Sequence, residues 1–203
     1  MKKSVYLYKN NYMNILNKKS FKILLIINSI VFSAQMLIPY TNYVVPLYPM
    51  GTDKFLVTQY LTSIFSHANL IHFAFNMLGL YFIIKMLEPA FTWKKVILYY
   101  LITGLASSVV YHLIGSPDKA LVGASGALYG LLTILAFSLP NIRVYLFFIP
   151  IPIKLKNIFY AYIAIELFLF LTIQSADGVA HIVHLLGAFF GYVTFLLNKR
   201  GII

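Results

Sequence analysis

Long apolar stretches recur along the chain, each bounded by charge, proline or turn residues. They run Ile23–Pro39, Leu70–Leu87, Val96–Ile114, Leu121–Leu139, Ile158–Ile173 and Val179–Leu197. A helix that crosses the hydrocarbon layer of a bilayer needs about 20 residues, within roughly 17 to 25. A further apolar run, Val144–Ile153 (VYLFFIPIPI), is too short to span, and Pro150 and Pro152 remove helical hydrogen bonds within it. It is expected to lie along the headgroup surface between Arg143 and Lys154. The pattern predicts an all-α membrane protein, a six-helix transmembrane bundle over residues 23–198. A basic segment, 1–22, precedes it and a short tail, 199–203, follows. The loop Tyr40–Asn69, with Pro46, Pro49, Gly51 and several aromatics, is expected to dip partly into the interface. No internal repeat or second domain is visible.

Composition closes the other classes. Of 203 residues, 61% are hydrophobic and 10% charged, mean hydropathy is +0.83 and there is no cysteine. Soluble domains carry roughly a quarter charged residues. An ordinary soluble domain, a disordered chain and a disulfide-stapled module are therefore excluded. The net charge of +11 would suggest nucleic acid as a partner of a soluble chain. Here the placement of the charge decides. With the amino terminus inside, Lys2, Lys3, Lys9, Lys18, Lys19, Lys22, Lys85, Lys94, Lys95, Arg143, Lys154, Lys156, Lys199 and Arg200 share one side. Lys54 and Lys119 fall on the other, with Asp53, Asp118 and Asp177. That asymmetry predicts a multi-pass protein of the plasma membrane with both termini cytoplasmic, whose partner is the lipid bilayer rather than nucleic acid. A secretory signal peptide fits poorly, because the basic region is too long and no small-x-small cleavage site follows.

Polar side chains at membrane depth are costly and mark candidate sites. All 5 histidines fall in the outer third: His67 and His72 near the start of the second span, His112 at the end of the third, His181 and His184 at the start of the sixth. Asn76 follows His72 by one helical turn. The fourth span opens VGASGALYG. At 1.5 Å per residue, Ser125 and His184 both come about 6–8 Å below the outer surface, and His72 and Asn76 bracket that depth. Gly126 and Gly130 are four apart, as are Gly187 and Gly191, a spacing that lets transmembrane backbones approach closely. If those faces pack together, Ser125 and His184 reach hydrogen-bond distance. A serine hydroxyl needs such a base to become a nucleophile.

Plainer readings stand beside this one. Small-residue packing accounts for most GxSG strings in apolar helices. Tyr129, one turn below Ser125, reads as a packing residue whose ring could hold the imidazole. Asn28, Ser29, Ser33 and Gln35 read as helix-joining groups. Glu166 lies inside the fifth span with no partner that the sequence identifies. A histidine-based metal site is a further alternative, because His181 and His184 are three apart and His67 and His72 five apart, and imidazole suits zinc or copper. Against it stand the absence of HExxH and of cysteine, and no carboxylate placed among these four. No metal or cofactor is expected. A channel or transporter would need polar groups through the inner halves of the spans, and few are there.

The motifs HANLIHFAFNMLGLYF, GASGALYG and AHIVHLLGAFFG, in this order on the second, fourth and sixth spans, resemble those of the rhomboid intramembrane serine proteases of the compact bacterial six-span type. The resemblance covers the chain from the first span to the last. It implies that Ser125 is the nucleophile of a GxSG motif with Gly123 and Gly126, and that His184, followed by Gly187 and Gly191, is its base. It implies that His72 and Asn76 help to bind the oxyanion with the Ser125 backbone N–H, that His181 is accessory and that Glu88 is structural. The unit implied is a dyad, with Asp177 taking no part. The substrates implied are single-pass transmembrane proteins, cut near the outer face, with the fifth span and the loop around Asp177 as moving parts of a gate. One departure stands out: where the family often carries a Trp-Arg pair in the first external loop, this chain has Thr58 and Gln59. The rival within the same fold is a catalytically inactive rhomboid-like binding or quality-control module. Such relatives typically lose the serine or the histidine, and both are present here.

Overall fold

The computed structural model describes residues 18–114, 119–146, 149–173 and 179–203. Lys2, Lys3, Lys9, Asp118 and Asp177, and the loop around Asp177, lie outside the described residues. The principal helices are α1 (Lys19–Leu37), α4 (Leu70–Leu87), α5 (Trp93–Ile114), α6 (Ser125–Ser138), α7 (Leu155–Thr172) and α8 (His181–Lys199), with two short helices, α2 (Thr41–Val44) and α3 (Gln59–Thr62), in the first long loop. All of these but α6 and the two short ones are long and apolar enough to cross a membrane. The protein is a multi-pass helical membrane bundle.

Helix α6, in the fourth apolar stretch, begins later than the apolar pattern suggests. Leu121 instead forms a two-way backbone bridge with Leu47, at 2.8 and 3.0 Å, and the Gly123 N–H donates to the Ser63 carbonyl at 3.0 Å. Gly123 has φ +125°, a conformation that disfavours any side chain, and the helix starts two residues on. At 14 residues, α6 is about 21 Å long, short of the roughly 30 Å hydrocarbon core. It tolerates this because its neighbours enclose it: Leu131, Ile134 and Leu135 are fully buried. The outer helices instead carry the exposed apolar side chains, among them Ile30, Phe75, Leu98, Ile165, Phe168 and Phe189, a surface suited to lipid.

Within the run Val144–Ile153 the described residues form two paired strands, a structure the apolar pattern alone does not predict. Strand β1 (Arg143–Leu146) pairs antiparallel with β2 (Ile149–Lys154), Arg143 opposite Lys154 and Val144 opposite Ile153. Two prolines are accommodated because each strand of a two-stranded ribbon keeps one open edge.

Polar contacts fix the two ends of the bundle. The Glu88 carboxylate accepts from the Ser20 N–H at 2.8 Å and from the Ser20 hydroxyl, and thereby caps the start of α1 from the end of α4. Lys95 Nζ donates to Asn198 Oδ1 at 2.8 Å and to the Ile203 carbonyl at 3.1 Å, and Tyr99 donates to the same Asn198 oxygen at 2.7 Å. The start of α1, the start of α5 and the end of α8 therefore share the basic end. At the other end the loop Tyr40–Asn69 is organised by Gln59, which is 0% exposed. Its Oε1 accepts from the Tyr48 and Leu56 N–H groups at 3.1 and 3.2 Å. Its Nε2 donates to the Lys54 and Tyr43 carbonyls at 2.9 and 3.3 Å. One of the two residues at the departure from the family pattern thus holds the loop. Gln35 joins α1 to that loop by accepting from the His67 N–H at 2.9 Å.

Candidate active site

Glycine determines how closely α6 and α8 approach. A Cβ at Gly187 would stand 2.1 Å from the Gly126 carbonyl oxygen, and one at Gly191 2.5 Å from the Gly130 oxygen. The two small-residue faces lie backbone to backbone, as their spacing predicts. Ser125 is the first residue of α6 and His184 sits in the first turn of α8, so this contact brings their side chains together. Ser125 Oγ lies 2.8 Å from His184 Nε2. The Tyr129 ring stacks on the imidazole, centroids 4.4 Å apart and planes 11° from parallel. Ser125 is half-buried and the His184 side chain 12% exposed, so the pair is not sealed within the bundle.

The oxyanion candidates arrive from α4. Asn69 caps this helix, its Oδ1 accepting from the His72 N–H at 2.8 Å, which sets His72 in the first turn. A Cβ at Gly123 would stand 3.0 Å from His72 Nε2 and 3.7 Å from Ser125 Oγ, so these three groups surround one small space. Asn76 is buried and its Nδ2 donates back to the His72 carbonyl at 2.9 Å, which leaves its second N–H for another acceptor. The Ser125 N–H precedes the first intrahelical bond, made by Leu128 N–H to the Ala124 carbonyl at 3.0 Å.

A model of the rhomboid domain matches residues 54–200, most of the chain. The chain belongs to the rhomboid family. It is 31% identical over 142 residues to rhomboid protease GluP of Bacillus subtilis, covering 70% of this chain and 26% of that protein. It is 45% identical over 71 residues to RHOMBOID-like protein 2 of Arabidopsis thaliana, covering 35% of this chain and 22% of that one. RHOMBOID-like protein 1 of the same plant is 40% identical over 83 residues, covering 41% and 21%. The chain spans about a quarter of the length of the relatives it matches.

Two further groups complete the surroundings of this rhomboid site. Glu166, for which the sequence offered no partner, has three. Its Oε1 accepts from the Tyr129 hydroxyl, and its Oε2 lies 2.7 Å from His181 Nδ1 and 3.0 Å from His184 Nδ1. This corrects the expectation that no carboxylate stands among the histidines. The nearest ligand atoms of Glu166, His181 and His184 lie within 4.8 Å of one another, a set that a small divalent cation could also use. Because α7 and α8 are successive helices, the sequence signals only the level of Glu166, near the first turns of α8; the side of α7 it faces is set by packing. His67, by contrast, lies beside the site in a shell of rings, its edge on Phe32 and Phe73 and 5.2 Å from the His72 ring. Burial, with the His72 ring second, holds its pKa down from 6.5 to about 4. His112 stands apart and bonds Tyr60 at 2.6 Å.

Proposed function

We propose that this rhomboid is an intramembrane serine endopeptidase of the plasma membrane, with both termini cytoplasmic, that cleaves single-pass transmembrane proteins near the outer face. The observation that carries the reading is the 2.8 Å separation of Ser125 Oγ and His184 Nε2. A substrate helix enters laterally and unwinds locally, because a carbonyl inside a helix is hydrogen-bonded and shielded. Small or helix-breaking residues in the substrate lower that cost. His184 Nε2 takes the Ser125 proton as Oγ attacks the carbonyl. His72, the free N–H of Asn76 and the Ser125 N–H stabilise the oxyanion, each such donor contributing about 10²–10³ in rate in well-studied hydrolases. His184 then gives the proton to the leaving amine, and water admitted from the outer end hydrolyses the acyl-enzyme. The similarity to a relative named rhomboid protease supports the activity, and the grouping of basic residues at one end of the bundle supports the orientation.

The test is cleavage of a model transmembrane substrate by the purified protein in vesicles. Ser125→Ala and His184→Ala are each expected to abolish it, and undiminished cleavage by either variant refutes the reading. The Glu166, His181 and His184 cluster favours one alternative, a metal-dependent hydrolase. That alternative predicts the reverse pattern, loss of activity to chelators and survival of Ser125→Ala.

A further inference from the structure

Glu166 is an expensive residue to keep where it is. From Tyr160 to Thr172 it is the one buried residue of α7, at 6% exposure, while its neighbour Phe168 faces outward. A carboxylate at such depth is retained when it has partners. Its partners here are three groups of the site: the tyrosine that stacks on His184, the adjacent His181 and the His184 ring itself.

The direction of proton transfer makes the third contact informative. If His184 Nε2 is to accept the Ser125 proton, the neutral ring must carry its own proton on Nδ1. The oxygen facing that nitrogen is Glu166 Oε2 at 3.0 Å, with the N–H inclined off the line between them. Such contacts straighten when substrate fills the site. On the reading proposed above, we infer that Glu166 is a positioning residue for the proteolytic reaction, an ionised carboxylate that fixes the His184 tautomer and balances the imidazolium, so that the unit is Ser125, His184 and Glu166. During attack the proton moves from Ser125 Oγ to His184 Nε2, the Nδ1 proton stays in place and Glu166 remains ionised. Tyr129 and His181 hold the two carboxylate oxygens, and Tyr129 also fixes the plane of the ring.

The experiment uses the full chain in vesicles with a model single-pass substrate and a fluorophosphonate that labels active serines. Glu166→Gln keeps the shape and removes the charge. It is expected to lower kcat by about 10²–10⁴-fold with KM changed less than threefold, and to slow Ser125 labelling in parallel. A kcat within threefold of wild type, while Ser125→Ala abolishes cleavage, overturns the role of the carboxylate alone. Cleavage that survives Ser125→Ala overturns the serine reading beneath it. If Glu166→Gln does not fold, NMR of 15N-histidine-labelled protein carries the test. A strongly downfield Nδ1 proton on His184 is expected of a ring facing a carboxylate. An Nδ1 proton at the position of a solvent-bonded imidazole overturns the inference.

Discussion

Gly187→Ala is a single methyl group placed where two backbones touch. The added Cβ would stand 2.1 Å from the Gly126 carbonyl oxygen and 2.9 Å from its carbon, against ordinary contact beginning near 3.4 Å. Neither partner is a flexible side chain that can turn away, so α6 and α8 must separate by about 1 Å. The Ser125–His184 distance, 2.8 Å at present, then approaches 4 Å, outside the roughly 2.6–3.2 Å that proton transfer requires. A misplacement of about 1 Å costs on the order of 10² in rate, and overpacking a helix contact costs about 1–3 kcal/mol of stability. Gly79→Ala is the matched control, because its Cβ would meet Leu128 Cδ1 at an ordinary 3.5 Å. The assay is initial-rate cleavage of a transmembrane substrate together with the melting temperature of each variant. The expected result is a loss of about 100-fold or more and a lowered Tm for Gly187→Ala, with Gly79→Ala close to wild type. Full activity and an unchanged Tm for Gly187→Ala would refute the claim that this contact sets the site.

Other outcomes follow from single residues. Gln59→Ala removes four loop hydrogen bonds and strands two backbone N–H groups, so it is expected to cost about 2–4 kcal/mol in equilibrium unfolding; a change under about 0.5 kcal/mol would show that the loop is held by other means. His67 is harder to protonate in the folded protein, at about 4, than in the unfolded chain, at 6.5. The unfolded state therefore binds more protons between these values, and the contribution is complete above pH 6.5 and lost as pH falls towards 4. It amounts to about 3 kcal/mol at most, so the Tm advantage of wild type over His67→Gln should narrow between pH 7 and pH 4.5, and a constant gap would contradict the assignment.

Much of this arrangement was legible in the chain because it rests on local or periodic features. Helix-length apolar stretches mark the bundle, and the glycine pairs at 126 and 130 and at 187 and 191 identify which faces meet. Once those faces meet, Ser125 and His184 have little freedom in where they go. What escaped depends on tertiary pairing. The late start of α6 follows from Leu121 finding Leu47 across the loop, and the same stretch in isolation is as apolar as a helix. The pairing of strands β1 and β2 required the two to find one another, which a short apolar run with two prolines does not reveal. Glu166 stands out in an apolar span, but its partners do not follow from the sequence, since which way a helix is rotated about its axis is set by its neighbours. Tyr129 lies 37 residues from it in sequence. Gln59, in a position where the family often has another residue, showed its use only through the four backbone groups it gathers.

Mass-spectrometric mapping of a fluorophosphonate adduct in native membranes tests the pairing of Ser125 with His184, because only a serine whose hydroxyl is relieved of its proton reacts quickly. A single adduct on Ser125 is expected, and it disappears when His184 is replaced by alanine. A preparation that cleaves a transmembrane substrate while Ser125 stays unlabelled, or that labels Ser125 equally well without His184, would contradict the pairing.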